Sequence, residues 1–276
     1  MANYVSALEH GLARLKDLPV SLRLIREMHE RLMHGVRVDS ITPGEFRRSQ
    51  NWIGPPGCTL ADAAFVPPPV AEMTQALSDF EKYLHAPPVF PPLVRLALIH
   101  YQFEAIHPFL DGNGRIGRLL ITLLLCVEGL LPQPLLYLSA FFERHRQEYY
   151  RLLMAVSQSG AWTPWIAYFL RGVAEQSSDA VKRANLLLSL RQRYREKMQS
   201  ARSSALLLQM VDDLFSTPAL DVSSASKRLN VTPRAAQLNV DKLIQSGILK
   251  EATGRRRNRI FVAAEIIDII EAAEIK

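Results

Sequence analysis

The sequence has 276 residues, of which 48% are hydrophobic and 22% are charged, and its formal net charge is +6 at pH 7. A domain usually has about 100 to 200 residues, so this length predicts two domains, and the composition argues against extended disorder. Two isolated cysteines, no signal-peptide pattern and no apolar segment of about 20 residues predict a cytoplasmic protein without a membrane partner.

Two amphipathic helices are predicted at the N-terminus. Apolar residues recur at helical spacing over residues 4–16 and 21–34, and Pro19 separates the two segments. Periodicity then disappears over residues 36–69, where glycine and proline accumulate, which predicts a long loop region.

A β-hairpin is predicted inside this loop region. Residues 50–53 and 63–66 are short β-prone segments on either side of a turn at residues 55–58. From the residues alone, this hairpin could be an ordinary surface feature or a functional one.

Two further helices are predicted over residues 70–84 and 93–105. His100 and Glu104 lie near the end of the second helix. Although an acid and a histidine there invite a catalytic interpretation, we expect them to cap the core or face solvent.

The segment His107–Arg118 reads H-P-F-L-D-G-N-G-R-I-G-R and lies between two apolar helical segments. Gly112 and Gly114 permit a tight backbone whose N–H groups point inward and form an anion nest at the start of the following helix. Arg115 and Arg118 are three residues apart and project from one face of that helix. A phosphate chain is the anion that this arrangement favours.

The same segment contains a base and a metal-binding carboxylate. His107 is a titratable base whose ordinary pKa is about 6.5. Asp111 provides a hard oxygen ligand where a phosphate-bound Mg²⁺ would lie, because Mg²⁺ is usually held by one or two carboxylates and substrate phosphates. Together these groups predict nucleotide chemistry.

The segment resembles the motif of the Fic (Fido) family, H-x-F-x-[D/E]-G-N-G-R-x-x-R, and matches it at every specified position. The resemblance covers roughly residues 3–175 and includes G-E-F-R-R-S-Q-N-W-I-G at 44–54 and F-V-P-P-P at 65–69. It implies a mainly α fold, a Fic-type helical bundle with a β-hairpin flap, over residues 1–176. It also implies that AMP is transferred from ATP to a Ser, Thr or Tyr hydroxyl of a target protein, with release of pyrophosphate.

The resemblance also implies a role for individual residues. His107 would be the base, Asp111 would hold Mg²⁺, and Arg115 and Arg118 would bind the β- and γ-phosphates. The anion hole would be formed by the backbone of residues 112–114 and the Asn113 side chain. The remaining expected nucleotide-binding residues are Gly112, Gly114, Gly117, the flap residues Ala64, Phe65 and Val66, and Tyr149 and Tyr150.

The flap and the two tyrosines each leave an alternative open. By resemblance, the flap pairs with an extended segment of the target protein by β-augmentation, but an ordinary surface hairpin would have the same sequence. Tyr149 and Tyr150 occupy positions that line the nucleobase pocket in the family, and aromatic residues at helical spacing are also typical of a core. We expect one of the two to contact the base.

Regulation is a further expectation from the resemblance. Many family members carry an inhibitory helix with the pattern [S/T]-x-x-x-E-[G/N], whose glutamate pairs with the second motif arginine. In this sequence Ser139 and Glu143 have the right spacing, but Arg144 follows and the segment lies after the motif. We therefore expect basal activity that includes modification of the protein itself, and a homodimer is one further possible partner arrangement.

A second domain is predicted after a basic linker helix at residues 177–203. Residues 204–276 predict three helices and two short strands, 248–252 and 259–262, joined by a turn with three arginines at 255–257. This order resembles a winged helix-turn-helix, in which the third helix reads DNA or the domain serves protein contacts. Residues 204–276 contain ten basic and nine acidic residues, so the linker helix would supply most of the positive field.

Two other functions remain open at this point. The chain could be a DNA-binding transcriptional regulator whose Fic-like domain senses nucleotide. Alternatively, the same fold could transfer another nucleotide monophosphate or remove AMP from a modified protein, because the motif contacts phosphates and not the base.

We also expect deletion of residues 204–276 to leave a soluble catalytic domain.

Overall fold

The computed structural model describes residues 2–36, 42–134, 136–199, 205–255 and 258–272. The chain forms two compact units, Met1–Gln176 and Ser177–Lys276. The structure is mainly helical, as predicted. Among the described residues, no helix combines the length and apolar character needed to cross a membrane.

The first unit contains the helices α1 to α7 and the first part of α8. Their bounds are α1 Ala2–Arg14, α2 Leu22–Leu32, α3 Val70–His85, α4 Pro92–Ile106, α5 Asn113–Val127, α6 Leu138–Arg144, α7 Arg146–Ser159 and α8 Trp162–Gln199. Helix α2 begins where the Ser21 hydroxyl accepts a hydrogen bond from the Leu24 N–H. The predicted helices 4–16 and 21–34 therefore correspond to α1 and α2.

Helices α4 and α5 lie at the centre of the first unit. Helix α4 is buried on more than one side, with Leu96, Ala97 and Ile99 each at most 1% exposed. The buried Trp165 indole donates a hydrogen bond to the Ala97 carbonyl at 2.9 Å. Because both helices are held by the core, the segment between them, residues 107–112, has a firmly supported start and end.

The predicted hairpin is present but shorter than expected. Ile53 and Phe65 form one antiparallel bridge, with N–H to carbonyl distances of 2.9 and 3.1 Å. A short 3₁₀-helix, Leu60–Asp62, occupies the connection. Pairing does not extend along 50–53 and 63–66, because Pro55 and Pro67–Pro69 flank the bridge and a proline has no N–H to donate.

The second unit combines helices with a small antiparallel sheet. Its helices are α9 Ala205–Leu214, α10 Val222–Leu229, α11 Pro233–Gln245 and α12 Ala264–Glu271, and its strands are β1 Ala219–Leu220, β2 Lys250–Glu251 and β3 Phe261–Val262. The strand order is β1-β3-β2. The expected start of α11 is present, because the Thr232 hydroxyl accepts from the Ala235 N–H at 3.3 Å. The winged-helix assignment stays a prediction, and Arg256 and Arg257 of the predicted wing lie outside the described residues.

The end of α8 packs in the core of the second unit. Leu190, Tyr194 and Met198 are each at most 2% exposed and belong to the same buried cluster as Val211 and Phe261. Residues 177–199 of the predicted linker therefore contribute apolar side chains to the unit that follows them.

Arginines of this helix are neutralised locally. Arg191 and Arg195 both pair with Asp212, Arg193 pairs with Glu265, and Arg183 pairs with Asp179. The positive field that the sequence assigned to this helix is reduced by these contacts.

The apolar stripe of α8 changes the expectation for deletion of residues 204–276, because it moves the point at which a soluble domain can be cut from residue 203 to residue 176. We expect a fragment of residues 1–176 to be soluble and to unfold cooperatively, whereas residues 1–203 would expose Leu190, Tyr194 and Met198 to water and associate. Size-exclusion chromatography and thermal unfolding of the two fragments test this expectation. A monomeric 1–203 fragment together with an aggregating 1–176 fragment would contradict it.

Candidate active site

His107 ends α4 in a left-handed conformation. Its backbone angles are φ 49° and ψ 59°, and its N–H bonds to the Phe103 carbonyl at 3.1 Å. A left-handed residue other than glycine costs about 1–2 kcal/mol, so surrounding contacts must hold it. The turn directs the chain from α4 into the segment that begins α5.

The imidazole of His107 is neutral at pH 7. Burial is the main cause that lowers its pKa to about 4, and the nearby positive charge of Arg47 acts in the same direction. Its Nδ1 lies 3.3 Å from the Glu104 carbonyl, which is an acceptor, so Nδ1 carries the proton and Nε2 keeps a lone pair. The ordinary pKa expected from the sequence is therefore corrected downwards, so the ring is unprotonated at pH 7 but is a weaker base than a free imidazole.

The Asn113 side chain closes the loop before α5. Its Oδ1 accepts from the Phe109 N–H at 2.8 Å, and its Nδ2 donates to the Phe109 carbonyl at 2.7 Å. The residue is 2% exposed. In this structure both polar groups of the amide bond to the Phe109 backbone, whereas the sequence predicted that the amide would line the anion hole.

Gly112 needs to be a glycine for two reasons. Its φ is +81°, and a Cβ would lie 3.1 Å from Met33 Sδ and 3.2 Å from His29 Nε2. The first N–H groups of α5 follow directly, and these are the groups that a helix leaves without intrahelical partners. The structure therefore brings together the glycine turn and the helix start that the sequence predicted.

The two motif arginines have different surroundings. Arg115 Nη2 lies 3.0 Å from Asp111 Oδ2 in a partly exposed ion pair. Arg118 makes no ion pair with any carboxylate of the described residues, although its charge acts on His100, Glu104 and Tyr149. Arg118 is thus the motif cation whose charge is not matched by a direct partner.

Asp111 is a partial fit for Mg²⁺. Its side chain is 49% exposed, and one oxygen accepts from the Gly112 N–H while the other faces Arg115. Within the described ranges, no group of three or more His, Cys, Asp or Glu side chains could hold a metal ion. A single carboxylate suits Mg²⁺ only when phosphate oxygens and water complete the coordination.

His29 is a residue of this site that the sequence did not reveal. Its ring stacks on Phe109 with centroids 3.7 Å apart and planes at 6°. Nδ1 accepts from the Gly44 N–H at 2.9 Å, so Nε2 carries the proton and donates to the Asp111 carbonyl at 3.0 Å. Burial is the main cause that lowers the pKa of His29, which keeps this tautomer neutral. From the sequence, His29 is only one histidine on an amphipathic helix.

Arg47 joins the flap to the base and was also missed. Its guanidinium donates to the carbonyls of His107, Ser49 and Pro68, and its own N–H bonds to the Pro108 carbonyl at 2.9 Å. The residue is 2% exposed, and burial lowers its pKa. Ser49 and Pro68 precede and follow the flap, so one side chain fixes both flap ends to residue 107. Only the match of G-E-F-R to the family pattern pointed to this position.

A cavity of about 350 Å³ lies between the flap, α4 and α7. Ala64 and Phe65 of the flap line it, together with Tyr150, which is 48% exposed. Val66 is 46% exposed and is not among the residues that line the cavity. The flap therefore contributes two of its three predicted residues to the wall of a ligand-sized space.

The two tyrosines have different positions. Tyr149 is 4% exposed, and its hydroxyl lies 2.9 Å from His100 Nε2 inside the core. Tyr150 faces the cavity. Of the pair, Tyr150 is thus placed to contact a ligand and Tyr149 supports it from within.

Glu104 also lines the cavity, although the sequence favoured a solvent-facing or core-capping position. It is 9% exposed, and burial raises its pKa to about 7. His100 is 1% exposed, and burial lowers its pKa to about 3. Of these two groups, His100 is a neutral core residue and Glu104 is a buried acid at a cavity wall.

The contacts of Arg47 predict a large effect of a conservative change. Arg47→Lys keeps the charge, but one ammonium cannot reach three separate carbonyls, so the free energy of unfolding should fall by about 2–4 kcal/mol. Denaturant unfolding measures this loss, and limited proteolysis should cut the flap faster. Arg48→Lys is the matched control, because Arg48 is 86% exposed and pairs only with Glu45 among the described residues. Equal stability of the two variants would contradict the anchoring role.

The lowered pKa of His107 predicts a pH-dependent contribution to stability. A depressed folded-state pKa stabilises the protein above the unfolded value of about 6.5, and the contribution is lost as pH falls towards 4. Relative to His107→Asn, the wild type should therefore lose about 1–3 kcal/mol of unfolding free energy between pH 7 and 4. Asparagine tolerates the left-handed backbone, so the difference isolates the titration. If the difference in unfolding free energy between the wild type and His107→Asn did not change with pH, the His107 ring would have the same pKa in the folded and unfolded states.

Comparison with known proteins identifies the domain that contains this site. Residues 19–125 match the model of the Fic/DOC family. The chain is 33% identical over 162 residues to protein adenylyltransferase Fic from Aedes aegypti, which covers 58% of this chain and 29% of that protein. It is 30% identical over 167 residues to the protein of the same name from Drosophila erecta, covering 60% and 30%. The chain thus spans about three tenths of the length of these relatives.

Solved structures share the fold. A Fic family protein from Desulfovibrio desulfuricans G20 superposes with a TM-score of 0.55 at 19% identity, covering 94% of this chain and 74% of that one. A Fic domain containing signaling protein from Bacteroides thetaiotaomicron gives 0.52 at 21% identity, covering 66% and 70%. The part of the chain that matches the Fic/DOC family, residues 19–125, includes the flap and the whole His107–Arg118 segment.

Proposed function

We propose that this protein transfers AMP from ATP to a hydroxyl side chain of a target protein and releases pyrophosphate. The observation that carries the proposal is a neutral His107 beside the helix start that bears Arg118, a cation without an ion-pair partner among the described residues. The names of the curated relatives agree with this reaction.

His107 would act as the general base. Its Nε2 lone pair would take the proton of the target hydroxyl while the hydroxyl oxygen forms a bond to the α-phosphorus. The bond from that phosphorus to the bridging oxygen of the β-phosphate breaks, and its electron pair leaves with pyrophosphate. A base held neutral by burial is ready for this step at pH 7.

The phosphates would be bound by the first N–H groups of α5 and by Arg118. Helix-start N–H groups and a guanidinium stabilise negative charge as it develops on the leaving pyrophosphate. Asp111 and the phosphates would hold Mg²⁺, which supplies further charge neutralisation when bound. Arg115, now paired with Asp111, would be released towards the phosphates when Asp111 takes this role.

The target would lie along the flap. Only one bridge, Ile53 to Phe65, joins the two sides of the flap, and Arg47 fixes both ends relative to His107. An extended target segment that pairs with the flap would therefore be held at a defined distance from the base. Another copy of this chain would fit the same requirement, so self-modification and a homodimer belong to this proposal.

The adenine would enter the cavity beside Tyr150. Aromatic faces stack on purines, and Phe65 and Tyr150 both line this space. The protein groups that would bind the phosphates do not distinguish between bases. The preference for ATP over other nucleoside triphosphates must therefore come from the walls of the cavity.

Loss of the base tests the proposal. With ATP carrying an α-phosphate label and Mg²⁺ in lysate, His107→Asn should reduce label transfer by about 10² to 10⁴, because it removes the general base. Asparagine tolerates the left-handed backbone, so binding of ATP should persist. His34→Asn, an exposed histidine outside the site, is the matched control. Undiminished labelling by folded His107→Asn would disprove the mechanism.

A further inference from the structure

Glu104 is a buried carboxyl whose polar group is not satisfied by the protein. The residue is 9% exposed, and its Oε1 is sealed from solvent without a hydrogen-bond partner. Burying a carboxyl without compensation is costly, and most buried polar atoms in native structures are bonded. A function is one physical reason to keep such a residue, and rotation of the side chain towards the cavity that it lines would bring Oε1 to a ligand.

The carboxyl lies against the glycines of α5. Its Oε1 is so close to Gly117 that a Cβ on this glycine would overlap it. A Cβ on Gly114 would lie 3.9 Å from Oε1 and 3.1 Å from Arg118 Nη1. The two glycines therefore leave room for the carboxyl beside the start of the phosphate-binding helix.

Glu104 and Arg118 approach the same place but do not pair. No nitrogen of Arg118 lies within ion-pair distance of Glu104, although the arginine charge acts on the carboxyl and partly offsets the effect of burial. A direct contact would have satisfied both groups at once. Its absence argues that another polar group belongs between the phosphate-binding arginine and the acid.

Glu104 also belongs to the wall of the cavity that holds Tyr150 and the flap residue Phe65. The cavity thus has aromatic faces suited to a base, and the Glu104 carboxyl at its wall lies against Gly117 of α5, the helix whose start suits phosphates. In a nucleotide, the sugar is the part that joins base and phosphate. The acid is the residue that both lines the cavity and lies against α5.

We infer that Glu104 binds the ribose hydroxyls of the nucleotide and makes this site selective for ribonucleotides over their deoxy analogues. The inference rests on the proposed function, because it places a nucleoside triphosphate in the cavity. A carboxyl accepts hydrogen bonds from a vicinal diol, as acidic residues do in dinucleotide-binding folds. Burial raises the pKa of Glu104 to about 7, so its protonated form can also donate.

Two variants at this position separate the roles that Glu104 could have. Glu104→Met has a similar volume and no hydrogen-bonding group, whereas Glu104→Gln still has an oxygen that accepts from a hydroxyl. Glu148→Gln is the matched control, since Glu148 lies on α7, pairs with Arg171 and does not line this cavity. The probes are ATP and 2′,3′-dideoxy-ATP, which lacks both hydroxyls and keeps base and phosphates.

The expected result is a change in preference. The wild type and Glu148→Gln should bind ATP at least about tenfold more tightly than the dideoxy analogue, which corresponds to a hydrogen bond to a charged group. Glu104→Met should bring the two affinities within about twofold of each other, and Glu104→Gln should retain most of the preference. The thermal midpoint of ligand-free Glu104→Met should rise, because the unsatisfied carboxyl is gone.

Two measurements, nucleotide binding by calorimetry and transfer of the α-phosphate label, distinguish failure of this inference from failure of the proposed activity. Binding of ATP without label transfer would overturn the proposed activity. The ratio of the affinities for ATP and 2′,3′-dideoxy-ATP would then still test the role of Glu104. An equal loss for both nucleotides in Glu104→Met would mean that the acid positions Arg118, and would overturn the ribose inference. A lower thermal midpoint for Glu104→Met would make the carboxyl a structural core group and would overturn it as well.

Discussion

The buried guanidinium of Arg47 is the contact on which the geometry of this site depends. It donates to the carbonyl of His107 and to carbonyls on both sides of the flap, so the base and the flap share one anchor. A backbone carbonyl can accept such a bond without any change in the path of the chain. Three of these bonds offset part of the free-energy cost of burying a cation. The flap needs this anchor because its own pairing consists of one bridge.

The loop of the motif is held by a second set of contacts from side chains that do no chemistry themselves. His29 links the Gly44 N–H to the Asp111 carbonyl, and Asn113 bonds both polar groups of the Phe109 backbone. The loop is thus tied to α2 on one side and to its own helix start on the other. The first N–H groups of α5 have no partner within the helix, which is what an anion site requires.

Burial has opposite effects on the pKa values of His107 and Glu104. It disfavours the charged form of each, so it keeps His107 neutral and makes Glu104 an acid that titrates near pH 7. A neutral imidazole suits a base. A carboxyl that can be protonated suits a ligand with hydroxyl groups. The same low-polarity surroundings therefore prepare both residues for different tasks.

The residues His107 to Arg118 were sufficient to predict nucleotide chemistry without reference to the fold, because their order along the chain sets the glycine turn, the helix start and the spacing of the arginines. Helix boundaries followed from apolar periodicity for the same local reason. Tertiary structure decided what depends on distant partners: the neutral state of His107, the division of labour between Tyr149 and Tyr150, and the limited pairing of the flap. It also revealed His29, Arg47 and Glu104. Each of these is an ordinary polar residue in the sequence, and only burial against segments far along the chain gives it a role.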